Sequence, residues 1–223
     1  TVKIDAEHFQ DLQQRALVYQ GGIILSPGQY KLKFLARENE SGRIGTFEDT
    51  ITLAPLQADR LQLSSVLLSS QVEAVQKTAQ IKTQALGLDA KMKSSPLEVG
   101  GERIIPSVTR VFNDQQTLYV FFQAYLPQKA QADSLRAGLV FFRNGQRLSD
   151  TPMLAPAEVD EKTRTASFRI SLPLSGLNAG RYTVQAIAVD AGTSYAAFAR
   201  NYFAIRAAAR AGGAAALQVP PND

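Results

Sequence analysis

Hydrophobic and polar residues alternate along most of the chain, the pattern of strands that bury one face. In the clearest segment, residues 30–37, Tyr30, Leu32 and Phe34 alternate with Lys31 and Lys33. A single helix, over residues 6–16, is predicted near the N-terminus. The alternation predicts strands over residues 1–4, 23–25, 30–37, 44–53, 61–68, 103–112, 117–125, 137–143, 165–172, 181–190 and 195–205.

Turn residues separate these segments. Asn144-Gly145 predicts a hairpin, because a type I′ turn needs positive φ at both central residues. Asn113-Asp114 is interpreted as a second hairpin turn. Many strands without intervening helices predict an all-β fold of tandem immunoglobulin-like or fibronectin III-like β-sandwiches, the first of them incomplete.

Composition shifts divide the chain. Residues 1–54 are predicted to be the C-terminal part of a first β-sandwich, and residues 55–206 a second one. Residues 69–101 interrupt the strand pattern with polar sequence and are interpreted as a mobile insertion, and residues 207–223 as an Ala/Pro-rich tail. Since the chain starts inside a patterned segment without Met, we expect the opening strands of the first sandwich to lie upstream in a longer protein.

An internal repeat relates residues 26–36 to residues 178–188. Each copy has a Gly-x-Tyr sequence at the start of a strand, Gly28 with Tyr30 and Gly180 with Tyr182. We expect each tyrosine to point inward and its hydroxyl to bond backbone near the turn, as in the tyrosine corner of sandwich domains.

Composition limits the chemistry. With 45% hydrophobic and 20% charged residues the chain is globular rather than disordered, and without cysteine it has no disulfide or thiolate site. The net charge of +4 comes from scattered basic residues, so no nucleic-acid partner is predicted. No apolar run reaches the length of a transmembrane helix.

No motif indicates catalysis. The single histidine, His8, lacks the partners of a triad or a metal site, and the carboxylates lack the spacing of a calcium loop. Gly100-Gly101 lacks the Lys and Ser or Thr of a phosphate loop. We therefore predict no catalytic residue, no metal ligand and no cofactor, and a protein that is not an enzyme.

Two places are candidate interfaces. Tyr119 and Phe121 lie in a strand with two apolar faces and are interpreted as core, as a protein interface or as a sugar-binding platform. Arg206 and Val219 bracket most of the Ala-rich tail, which cannot form a core and is expected to rest on another surface. A protein partner or a homo-oligomer is therefore expected, with glycan as the weaker alternative.

Four segments resemble the C-terminal region of the VWFA-related domain proteins of acidobacterial type. They are residues 63–69 (LSSVLLS), 106–112 (PSVTRVF), 116–120 (QTLYV) and 141–145 (FFRNG). Residues 41–47 (SGRIGTF) resemble the preceding part of that region, and the resemblance covers about residues 1–206. The resemblance implies immunoglobulin-like modules downstream of a von Willebrand factor A-like domain, in an exported protein of the periplasm, outer surface or extracellular space. The Asp-x-Ser-x-Ser metal motif of the A domain is missing here.

The expected function is accordingly a non-catalytic structural or protein-interaction module of an exported or cell-surface bacterial protein, within a larger assembly. The alternative is an accessory module that binds a glycan or another surface polymer.

Overall fold

The computed structural model describes residues 23–39, 41–75 and 97–207. The chain divides into two compact units, Thr1–Pro55 and Leu56–Asp223. The described residues are all-β, and their one helical segment is a short 3-10 turn at Ala132–Ser134. The helix predicted for residues 6–16 and the strand predicted for residues 1–4 lie outside the described residues.

The described part of the first unit is an antiparallel hairpin. Strand β1 (Gly28–Arg37) pairs with β2 (Ile44–Leu53) over their full length. The strand predicted over residues 23–25 is wrong, because these residues have no regular structure. The half-burial predicted for the Tyr30 face is confirmed at Tyr30 and Leu32 and wrong at Phe34, whose ring centre lies 6.2 Å from that of Phe47 and which is 54% exposed. Two strands by themselves cannot enclose a core.

Ten strands of the second unit form two sheets. The front sheet has the order β11-β10-β14-β15-β8, and the back sheet has the order β12-β13-β9-β3, with β4 also paired to β9. The strands are β3 (Gln62–Leu63), β4 (Leu67–Ser69), β8 (Val111–Asn113), β9 (Thr117–Tyr125), β10 (Leu135–Arg143), β11 (Gln146–Asp150), β12 (Glu158–Asp160), β13 (Thr165–Pro173), β14 (Gly180–Asp190) and β15 (Tyr195–Arg206). The sequence did not predict β11 and β12.

One hydrophobic core is shared by the two sheets. It contains Phe122 and Phe168 of the back sheet, whose rings stack at 5.2 Å, together with Tyr182 and Phe203 of the front sheet, stacked at 5.3 Å. Each of these side chains is at most 4% exposed. Alternation along β9, β13, β14 and β15 supplies the inward residues, so the predicted strand period is what builds this core.

A third, smaller sheet covers part of the back sheet. Its order is β5-β7-β6, with β5 at Val72–Ala74, β6 at Glu98–Val99 and β7 at Glu102–Ile104. Residues 69–101, interpreted as a mobile insertion, contain β5 and β6 near their two ends, and these two strands were not predicted. The few apolar residues there are enough because they pack with Phe121, while residues 76–96 lie outside the described part.

The two predicted hairpin turns differ in outcome. Asn144-Gly145 joins β10 to β11 with φ of 51° and 78°, which confirms the type I′ turn. The Asn113-Asp114 hairpin is wrong, because β8 pairs with β15 in parallel while β9 belongs to the back sheet. This turn therefore carries the chain from one sheet to the other, a long-range arrangement that a local turn signal does not reveal.

Candidate interaction surface

The repeated tyrosines occupy equivalent turns. The Tyr30 hydroxyl donates to the carbonyl of Ser26 at 2.8 Å, and the Tyr182 hydroxyl donates to the carbonyl of Asn178 at 2.6 Å. Each acceptor lies four residues before its tyrosine, as the aligned repeat requires, and the preceding glycines share φ values of 159° and 154°. The predicted bond from each hydroxyl to the turn backbone is confirmed, and its role is structural.

Arg143 completes the turn around Tyr182. Its guanidinium lies 5.5 Å from the centre of the Tyr182 ring and donates to the carbonyl of Ala179 at 2.9 Å. A Cβ on Gly180 would approach this guanidinium to 3.1 Å, so a side chain there would push Arg143 away. These contacts fix the start of β14 within the front sheet.

The predicted interface residues are not brought together. Phe121 is 3% exposed and packs with Val99 and Ile104 of the small sheet, so of its three interpretations the core is confirmed and the two contact roles are wrong. Tyr119 is half-buried on the same strand, and Arg206 is exposed at the end of β15. Val219 lies outside the described residues.

A different surface exposes large aromatic side chains: the outward side of β10, β14 and β15, called here the front face, on which Val140 of β10 is buried. Phe198 and Tyr202 are 62% and 64% exposed on it. Cross-strand register places Tyr202 beside Thr183 and Phe142, and Phe198 beside Ile187. The face consists of Arg136, Val140, Phe142, Arg181, Thr183, Gln185, Ile187, Val189, Ala196, Phe198, Arg200 and Tyr202.

Arginine supplies the charge of these three strands, and Asp150 of the neighbouring β11, which lies opposite Val140, pairs with Arg147 at 3.0 Å. β10, β14 and β15 contain no lysine and no glutamate, and their one aspartate, Asp190, is buried. The Arg200 guanidinium donates to the Gln185 side chain at 2.5 Å and lies 5.9 Å from the Phe142 ring centre. Within the described ranges, neither Arg136 nor Arg181 nor Arg200 takes part in an ion pair.

Two open depressions border the face. One, of about 540 Å³, lies at the end of the sheet near the Asn144-Gly145 turn and is lined by residues that include Arg110, Arg181 and Tyr202. The other, of about 410 Å³, lies beside Phe198 and Arg200. Both are shallow grooves, so this surface is suited to contact with an extended partner.

The carboxylate of Asp190 has a structural role. Burial raises the pKa of Asp190, but hydrogen bonds from the Ser134 and Thr193 hydroxyls and the Gly192 and Thr193 backbone outweigh this effect and hold the pKa below its ordinary value. The Gly192 amide donates to the carboxylate at 3.1 Å. The carboxylate therefore stabilises the turn between β14 and β15. Asp190 lines neither of the two grooves described above.

Other site chemistry is limited. The described ranges hold no group of three or more His, Cys, Asp or Glu side chains placed to bind a metal ion, and His8 lies outside them. Within the same part of the chain, no helix has the length and apolar character needed to cross a membrane.

Sequence reasoning missed Phe198 and Tyr202 because β15 is apolar on both sides. Phe203 and Ile205 lie on its inward side, and Phe198 and Tyr202 on its outward side. The available signal was the joint pattern of β14 and β15, in which arginine and glutamine occur only on the side that carries Phe198 and Tyr202.

Comparisons with known proteins were made with the whole chain. No protein-family model matches it, and no curated protein is similar to it.

Proposed function

We propose that this chain is a non-catalytic structural or protein-interaction module, and that its second unit is an immunoglobulin-like β-sandwich. The strand order supports the fold proposal. The back sheet order β3-β9-β13-β12 corresponds to strands A, B, E and D of that fold, and β10, β14 and β15 correspond to C, F and G. Tyr182 then lies at the start of strand F, where a tyrosine corner is expected.

The main support for this function is the front face, on which the aromatic side chains of Phe198 and Tyr202 are exposed. Protein interfaces are enriched in aromatic residues and arginine and depleted in lysine and glutamate. The front face has this composition, with Phe198 and Tyr202 exposed among Arg136, Arg181 and Arg200. The chain covers Phe121 on its back sheet with its own small sheet, and residues 151–153 lie against Gly138 at the β10 side of the front face. Phe198 and Tyr202, on β15, are exposed.

The cellular setting follows from the resemblance of residues 63–69, 106–112, 116–120 and 141–145. It supports the proposal that the chain is the C-terminal region of a VWFA-related protein, exported to the periplasm, outer surface or extracellular space. In that setting the module joins a larger assembly through the front face.

Site-specific photo-cross-linking tests the proposal. A benzophenone amino acid replaces Phe198 in the native host, and a matched variant carries it at Val159, which is 37% exposed on β12 of the other sheet. We expect one discrete protein adduct from position 198 and none from position 159. Equal, diffuse labelling from both positions would refute an interface at the front face.

A glycan-binding module is the second candidate, favoured by the groove of about 540 Å³ beside Tyr202, where Asn144 and Arg181 supply polar groups. Binding of bacterial surface polysaccharide that is lost in Tyr202→Ala and kept in Phe198→Ala would favour it. Loss in both variants would not distinguish the groove from the whole face.

A further inference from the structure

Resting on the proposed interaction function, we infer that the front face binds an extended acidic protein segment. The segment carries carboxylates and apolar side chains at alternate positions facing the sheet. This names the chemistry of the partner, which the proposed function leaves open.

The inference is based on the order of side chains along the sheet. Taken at successive outward positions of β14, the levels are Arg181 with Ala204, then Thr183 with Phe142 and Tyr202, then Gln185 with Val140 and Arg200. The next levels are Ile187 with Gly138 and Phe198, and Val189 with Arg136 and Ala196. Levels that contain an arginine therefore alternate with levels that contain none.

The spacing of these levels matches an extended chain. Neighbouring outward positions on a strand are about 6.6 Å apart, so the three arginine levels are separated by about 13 Å and span about 26 Å. A partner strand running along β14 repeats its own sheet-facing side chains at the same interval. Acidic residues four positions apart, with apolar residues midway between them, would meet every level.

A second copy of the same face is the weaker occupant. A symmetric dimer would bring Arg136, Arg181 and Arg200 against the same arginines, and juxtaposed like charges oppose association. Three strands about 4.8 Å apart and about 26 Å long offer roughly 370 Å², less than the roughly 800 Å² per partner of a standard stable interface. Charge and area therefore both favour a short acidic segment.

Single-stranded nucleic acid fits the face less well. Its binding surfaces stack successive bases on aromatic rings along a basic groove. Here the level between Arg200 and Arg136 pairs Phe198 with the aliphatic Ile187, and no lysine contributes to the strands. The two levels without arginine, one with Phe142 and Tyr202 and one with Ile187 and Phe198, are better matched by apolar amino-acid side chains.

Peptide binding to the full chain tests the inference. The probe is a fluorescein-labelled peptide with Glu, Phe, Glu, Leu and Glu at alternate positions and Ser between them, and its control replaces each Glu by Gln. We expect anisotropy to show binding of the Glu peptide, weakened about tenfold or more between about 0.05 M and about 0.5 M NaCl. The Gln peptide should bind at least about tenfold more weakly.

Protein variants assign that binding to the face. The triple variant Arg136→Gln, Arg181→Gln, Arg200→Gln should lose about tenfold or more in affinity for the Glu peptide. Arg103→Gln, which removes an exposed arginine paired with Glu73 on the small sheet, should bind like the unaltered chain.

Three results would overturn the inference: no binding of the Glu peptide, equal binding by the triple variant, or tighter binding of a single-stranded oligothymidylate. Each leaves the proposed interaction function standing if the position 198 adduct still forms. Loss of that adduct would instead remove the proposed function.

Discussion

The bond from Tyr182 to the turn backbone offers the sharpest test of how the second unit is held together. Tyr182→Phe removes only the hydroxyl, which donates to the Asn178 carbonyl at 2.6 Å, and keeps the ring that stacks on Phe203. The tyrosine is 3% exposed, whereas Asn178, which supplies the acceptor, is exposed. The variant therefore isolates one partly buried hydrogen bond.

The magnitude follows from the net contribution of one hydrogen bond, which is about 0.5–1.5 kcal/mol. Because Asn178 is exposed, its carbonyl does not add the full cost of a buried acceptor without a partner. We expect the free energy of unfolding to fall by about 1 kcal/mol for Tyr182→Phe. Tyr202→Phe, in the same sheet but 64% exposed, should change it by about 0.3 kcal/mol or less.

Urea unfolding of the full chain, followed by far-ultraviolet circular dichroism, measures the free energy of unfolding of both variants. In thermal unfolding, the melting temperature should fall by about 2–4 °C for each kcal/mol lost. Tyr30→Phe should be milder than Tyr182→Phe, because its bond to Ser26 is exposed and water can substitute. A Tyr182→Phe protein as stable as Tyr202→Phe would refute the structural role of the turn.

Two further predictions concern Asp190 and Phe121. The lowered pKa of Asp190 means that its stabilisation is complete above the unfolded-state pKa of about 3.9 and is lost as the pH falls through the folded-state pKa. Asp190→Asn should therefore cost about 1–2 kcal/mol near neutral pH in urea unfolding, with a gap to the unaltered chain that narrows below about pH 4; a pH-independent gap would contradict this. Phe121→Ala should lower the free energy of unfolding by about 3–5 kcal/mol and speed amide exchange in β5 and β7. Phe198→Ala, which removes an exposed side chain, should do neither. Equal stability of the two variants would argue against the packing of the small sheet on Phe121.

The arrangement of β8 shows what kind of information decides the architecture. Its parallel pairing with β15 brings Val111 beside Ala204, residues far apart in the chain. Nothing in the Asn113-Asp114 turn indicates this, since a turn signal describes a few neighbouring residues only. The same limit explains why the small sheet was missed: its short strands gain their stability from Phe121, a residue of another strand.

The sequence by itself determined the all-β character, the bounds of long strands such as Thr117–Tyr125, and the paired tyrosine turns. These features depend on side-chain alternation and on backbone preferences of neighbouring residues, which are local properties. Only the tertiary structure decided that Phe121 is covered while Phe198 and Tyr202 are exposed. Both strands present apolar residues on two sides, and which side is buried depends on which distant strands pack against it.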